Sequence, residues 1–144
     1  MEITITNIKW TDPEYKQVWQ LREDVLRIPL GLSLKNEDLS RDEFNTIFIA
    51  KNNADVIGCV FMQPINSDEI QLRAMAVYPD WQGKGIGRML VKDAELFAQK
   101  EGYKKIILHA RKVALEFYLS MEYVVTSDQF TEVGIPHFMM EKKF

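Results

Sequence analysis

The chain opens on an alternation of apolar and hydroxyl side chains, Ile3 and Ile5 against Thr4 and Thr6, the two-residue period of a half-buried strand. Thr11-Asp12-Pro13-Glu14 then predicts a helix start. Either Thr11 and Glu14 form a capping box, or Asp12 caps with Pro13 in the first helical position. Tyr15, Val18, Trp19, Arg22, Val25 and Leu26 recur behind it at helical spacing. Arg22 interrupts that apolar stripe, and pairing with a carboxylate at the core's edge accounts for it more simply than a place beside a substrate. Pro29 to Phe44, with Gly31, Asn36 and several acids, shows neither period and reads as a loop or short helix. Two β runs follow, Thr46 to Lys51 and Val56 to Met62, joined by Asn52-Asn53-Ala54-Asp55, whose Asn and Asp residues tolerate left-handed turn geometry. Asn66-Ser67-Asp68 turns the chain into a third run, Glu69 to Val77.

The third run changes phase: Ile70 and Leu72 set one apolar face, Met75 and Val77 the other. A strand buried on both faces accounts for this, and so does one extra residue near Arg73-Ala74, a β-bulge. Beyond a glycine-rich segment, Ile86, Met89, Leu90, Ala94, Phe97 and Ala98 make the stripe of a helix that Gly102 terminates. Lys105 to His109 is a short strand of the buried type, and Arg111 to Met121 reads as a helix with Val113, Ala114, Phe117, Tyr118 and Met121 clustered. Final strands lie near Tyr123 to Thr126 and Pro136 to Lys142. The elements describe an α/β (α+β) chain: a strand meander, then strand, helix, strand, helix, strand, strand.

At 144 residues, 47% hydrophobic and 27% charged, the chain suits one ordinary globular domain over residues 1–144. No apolar run approaches the ~20 residues of a membrane span, and the N-terminus lacks the basic and apolar regions of a signal peptide, which points to the cytoplasm. Cys59 is the only cysteine, so no intramolecular disulfide forms, and its apolar setting suits a small buried hydrophobe better than a nucleophile. One cysteine and two distant histidines argue against a structural zinc site, and a net charge of -3 argues against a nucleic-acid partner.

Gln82-Gly83-Lys84-Gly85-Ile86-Gly87, between a strand and a helix, offers a backbone that approaches a ligand closely and turns successive N–H groups toward it. The helix start adds its positive dipole end, Lys84 and Arg88 add charge, and together they suit a pyrophosphate. A P-loop would need Ser or Thr after Lys84, where Gly85 stands. A Rossmann turn would follow its strand directly, where Tyr78-Pro79-Asp80-Trp81 intervenes, and would be followed ~20 residues later by an acid, where the next strand ends in His109-Ala110.

Gln82, Gly85 and Gly87 instead resemble the Gln/Arg-x-x-Gly-x-Gly/Ala signature of the GNAT superfamily, with Leu72 to Val77 and Pro79 similar to the strand before it. Ala114 to Tyr123 resembles the family's Ala-x-x-x-Phe-Tyr-x-x-x-Gly-Phe/Tyr segment, except that Glu122 stands where glycine is usual. Gly134-Ile135-Pro136-His137 also resembles a segment of the ElaA-like branch. The resemblance implies a mixed, mostly antiparallel sheet of six to seven strands with about four helices. That sheet would be splayed between the strand ending at Val77 and the strand ending at His109, with a bulge in the first.

It further implies an acetyl-CoA-dependent N-acetyltransferase without a metal, acting on a small-molecule or peptide amine, as a monomer or homodimer. Coenzyme A would lie against Met75, Ala76 and Val77, with its pyrophosphate on Gln82, Gly83, Lys84, Gly85, Ile86, Gly87 and Arg88 and with His109 in contact. Tyr118 corresponds to the general acid that protonates the leaving sulfur. For the base, the family's glutamate position holds Gln71, leaving Glu69, acting through water, or His137, a residue type whose unperturbed pKa is about 6.5. An ordinary structural role competes for both. The acids Glu37, Asp38, Asp42, Glu43, Asp128 and Glu132 suit a cationic amine, and solvated loop charge explains them equally. A non-catalytic acyl-CoA binding module and a nucleotide-binding domain are the rival functions.

Overall fold

The computed structural model describes residues 2–144; Met1 lies outside them. Eight strands form one sheet: β1 (Ile3–Ile8), β2 (Thr46–Asn52), β3 (Asp55–Pro64), β4 (Glu69–Val77), β5 (Lys105–Arg111), β6 (Val124–Val125), β7 (Phe130–Glu132) and β8 (Ile135–Lys143). Their order is β1-β2-β3-β4-β5-β8-β6, with β7 also on β8. Every pairing is antiparallel except β4 with β5. The α-helices are α1 (Tyr15–Arg22), α2 (Ile86–Lys100) and α3 (Leu115–Ser120). No helix among the described residues is long and apolar enough to cross a membrane.

The central strands are buried on both faces, which gives their near-continuous apolar runs. Along β2, Phe48 and Ala50 join the core under α2, while Ile47 and Ile49 pack with Val18 and Leu21 of α1. In β4, Ile70 and Leu72 face the α2 side, yet Ala74 and Ala76 face α1 and Met75 and Val77 return to α2. Both sequence readings of this strand therefore hold. It is buried on two faces, and a register shift against β3 leaves Ala74 and Met75 opposite Val60 alone. Ala74 takes φ +53°, the left-handed geometry of an inserted residue.

Several expectations change. The described residues form eight strands rather than six to seven, because Phe130–Glu132 hairpins onto β8 through Val133-Gly134. They form three α-helices rather than about four, since Ile28 to Phe44 forms only short 3-10 turns, the first containing Pro29 and ending at Gly31. Neither helix cap forms at Thr11 to Glu14: Asp12 Oδ2 accepts from Lys9 N–H at 2.8 Å, and α1 begins a residue later without a side-chain cap. On α2, Val91 replaces Met89 at the buried positions, and Met89 is exposed. The helix expected from Arg111 starts at Leu115, because Arg111 still belongs to β5; Val113 is 93% exposed rather than core.

Glu122 closes α3 with φ +74°, where side chains with a Cβ are disfavoured. Tyr123 N–H still reaches Tyr118 O at 3.1 Å, so the turn forms against that strain. Replacing Glu122 with Gly relieves the strain and gives back part of the gain as unfolded-chain entropy. Thermal or urea unfolding should show a net stabilisation of about 0.5–1 kcal/mol.

Candidate active site

β4 and β5 pair in register only from Glu69 with Lys105 to Leu72 with Leu108. Beyond that point β5 continues on β8 as far as Arg111, while β4 continues on β3 through the bulge, so the two strands separate into a wedge. Tyr78 N–H donates to Ile57 O of β3 at 3.0 Å. Strand alternation therefore turns the N–H and C=O groups of Val77 and Met75 the other way, toward the wedge. Gln82 Nε2 donates to Val77 O at 2.8 Å, fastening the glycine segment to this edge.

The segment itself is exposed up to Ile86, whose side chain is in the core. Gly85 (φ +81°) caps α2, and Met89 N–H is the first to find a helical partner, Gly85 O at 3.1 Å. The N–H groups of Ile86, Gly87 and Arg88 thus belong to the unpaired first turn. A Cβ on Gly87 would meet the Phe117 ring at 3.4 Å and the Met75 methyl at 3.6 Å, so α2 passes close to both. Lys84 is exposed beside Asn52, Asp80 and Trp81, and Arg88 donates to Ser120 Oγ at 3.1 Å.

A cavity of about 510 Å³ opens from the wedge. Of the residues expected to touch the cofactor or take part in catalysis, Met75, His109, Tyr118 and His137 line it. Ala76 is buried on the α1 side instead, and Val77 packs in the α2 core with its backbone at the strand edge. Glu69 is not among the lining residues: it lies at the closed end of the wedge, accepting from Asn66 at 2.8 Å and paired with Lys105 at 3.1 Å. These partners hold its carboxyl below the usual carboxylate range. Tyr118 is 5% exposed, and burial pushes its hydroxyl well above its ordinary value.

Glu132, from the strand that sequence patterning missed, stands between both histidines. Its Oε1 lies 2.9 Å from His109 Nδ1 and its Oε2 lies 3.6 Å from His137 Nε2. His137 is buried, stacked on Phe130, with Nδ1 3.0 Å from Ile135 O. A carbonyl only accepts, so Nδ1 carries a proton, and the neutral ring keeps its lone pair on Nε2.

The opposite wall is built on Asp42. Its carboxylate accepts from Arg22 at 3.0 Å, Arg73 at 3.3 Å and the Tyr15 hydroxyl at 2.5 Å. Both guanidinium groups lie over the Phe61 ring, at 4.6 and 5.2 Å. Arg22 therefore has the carboxylate partner expected for it, and it lines the cavity as well. A π-helical turn, Glu23–Arg27, follows α1 and brings Leu26 and Arg27 to the cavity. Arg27 binds both oxygens of Glu37, and Arg111 donates to Leu26 O at 2.9 Å. Arg27, Arg41, Arg73 and Arg111 went unrecognised as cleft residues in the sequence, where only Arg73, beside the phase change, had a local signal; Glu132 was expected only as one of several acids for a cationic amine, not as a partner of the histidines.

A family model described as an acetyltransferase (GNAT) domain matches residues 33–144. Solved structures share the fold. A crystal structure from Lactobacillus plantarum described as a putative N-acetyltransferase is 21% identical, with TM-score 0.88 over 99% of each chain. Escherichia coli ElaA is 17% identical, with TM-score 0.86 over 99% of this chain and 100% of its own. The PaiA N-acetyltransferase of Thermoplasma acidophilum, in complex with coenzyme A, is 17% identical, with TM-score 0.77 over 100% of both chains.

Asp42 compensates two guanidinium groups that are themselves largely buried, so its removal leaves uncompensated charge in the interior. Asp42→Ala should lower unfolding free energy by about 3–5 kcal/mol, measured by urea denaturation. A loss below 1 kcal/mol would show that the cluster does not hold α1 to the sheet.

Proposed function

The chain belongs to the GNAT family of acetyltransferases and is an acyltransferase; on that premise we propose that it moves the acetyl group of acetyl-CoA directly to a primary amine, with donor and acceptor held together. The observation that carries this reading is the wedge between β4 and β5, with a polar strand edge along one side, a helix start at its rim and the buried Tyr118 lining its cavity. The residues fit coenzyme A. An added Cβ at Gly83 or Gly85 would meet nothing within 4 Å, so the loop's outer face is open, and first-turn N–H groups suit a pyrophosphate. The complex of PaiA with coenzyme A supports the same cofactor here.

Bound acetyl-CoA would supply the acetyl group as a thioester, which an amine displaces without a protein nucleophile. Cys59 is accordingly spare: it is buried, its Sγ lies 3.4 Å from Ala74 O, and burial pushes the thiol up to about 12. Met75 N–H, beside the bulge, is the proposed donor to the negative charge that develops on the carbonyl oxygen. His137 is the proposed base, taking the amine's proton on Nε2, which lies 3.6 Å from Glu132 Oε2. Tyr118 is the proposed acid. Its hydroxyl keeps its proton until a thiolate forms beside it, and the same burial that raises the phenol makes that thiolate more basic than in water. Glu69, held by Lys105 and Asn66, has no part in this scheme.

The test is thiol release from acetyl-CoA with a panel of amines, alongside calorimetric binding of CoA. Tyr118→Phe and His137→Gln should each lower turnover by about 10²–10⁴-fold while CoA affinity is kept. Wild-type turnover in either variant removes that residue's role. CoA binding without thiol release from any amine would mark a non-catalytic acyl-CoA module instead.

A further inference from the structure

The acceptor side of the cavity is rich in positive charge, although the whole chain carries -3. Arg22, Arg27, Arg41, Arg73 and Arg111 line it, against the lining acids Glu37 and Glu132 and the adjoining Asp42: five cations to three carboxylates. These three acids are already engaged. Glu37 is held bidentately by Arg27, Asp42 is buried between Arg22 and Arg73, and Glu132 faces the two histidines.

Two of the arginines have no carboxylate partner. Arg111 donates only to a backbone carbonyl, and Arg41 makes no side-chain hydrogen bond or ion pair among the described residues. A third observation comes from below: Arg22, 3% exposed and lining the cavity, keeps a buried Nε without a partner. Burial and the neighbouring Arg41 and Arg22 together lower Arg73 to about 10 despite the pull of Asp42. This wall thus holds more guanidinium charge than its own acids balance, an arrangement that draws an anion into a low-dielectric cleft.

Resting on the acetyltransferase reading, we propose that the acceptor amine carries an anionic group, a carboxylate or a phosphate, and that Arg41 and Arg111 receive it. Guanidinium groups present paired N–H donors that match the oxygens of either anion. Arg111 stands opposite His137 in the β5–β8 register, so an anion held there keeps the acceptor in the part of the cavity that His137 lines. The enzyme then discriminates by the acceptor's charge.

Matched amines test this: lysine against cadaverine, glycine against glycinamide, and phosphoethanolamine against ethanolamine. Each is read by turnover and by calorimetric binding to CoA-loaded protein. The anionic member of at least one pair should be favoured by about 10- to 100-fold, the range of one charged hydrogen bond. Comparison of the carboxylate and phosphate pairs then identifies the anion. Arg41→Gln, at an exposed position with no partner to lose, should erase most of that preference through KM, with CoA affinity retained. Arg111→Gln should do the same.

Equal or better use of the neutral or decarboxylated amines, or an unchanged preference in both variants, overturns the proposal. The transferase reading falls separately, if CoA itself does not bind. Because the amines are also read by binding, their charge preference is measured even if turnover fails.

Discussion

The site depends on a strand pairing that stops. β4 and β5 run parallel for four residue pairs and then separate, β4 following β3 across a bulge and β5 following β8 along its full length. The bulge at Ala74 re-aims the second half of β4, leaving strand-edge N–H and C=O groups facing the opening. Strand edges left unpaired in this way need other partners. Gln82 satisfies Val77 O, and the remaining groups set the chemistry the opening can accept. A ligand with amide groups along its length can continue the ladder there, and the proposed function gives this place to the pantetheine arm.

Around that opening the chain divides its labour by face. α2 and its glycine start lie at one rim and α3 brings Tyr118 to the cavity, both from the same side of the sheet. α1, the π-helical turn and the Asp42 cluster form the other wall. A buried ion cluster is weak evidence of stability in itself, and its value here is positional. Asp42 ties an arginine of α1 to an arginine of β4, two residues that are far apart in sequence, and so fixes the wall against the strand that carries the bulge. In the proposed function, donor and acceptor meet where those two faces converge, near Tyr118 and His137.

What was legible in the sequence followed from local periodicity. The phase change between Leu72 and Met75 carried the bulge, Gly102 the end of α2, and Asn53 the β2–β3 turn, with Asn53 at φ +57°. Three glycines at alternate positions marked the helix start against the wedge. Long-range pairing was not legible. Glu132 lies 23 residues from His109 in sequence, and Arg73 is 31 from Asp42, so no window of neighbouring residues could join them. The strand Phe130–Glu132 was missed because it is three residues long and only part-buried at Phe130. The caps at Thr11 to Glu14 had the right composition, but Asp12 found a nearer backbone donor in Lys9, a choice that composition cannot settle.

Amide hydrogen exchange with and without CoA tests the central claim most directly. If the wedge seats the cofactor, protection should rise at Met75 and Val77 on the strand edge and across Gly83 to Arg88, with the far edge of the sheet at β1 unchanged. Binding that protects neither the β4 edge nor the glycine segment would contradict the account.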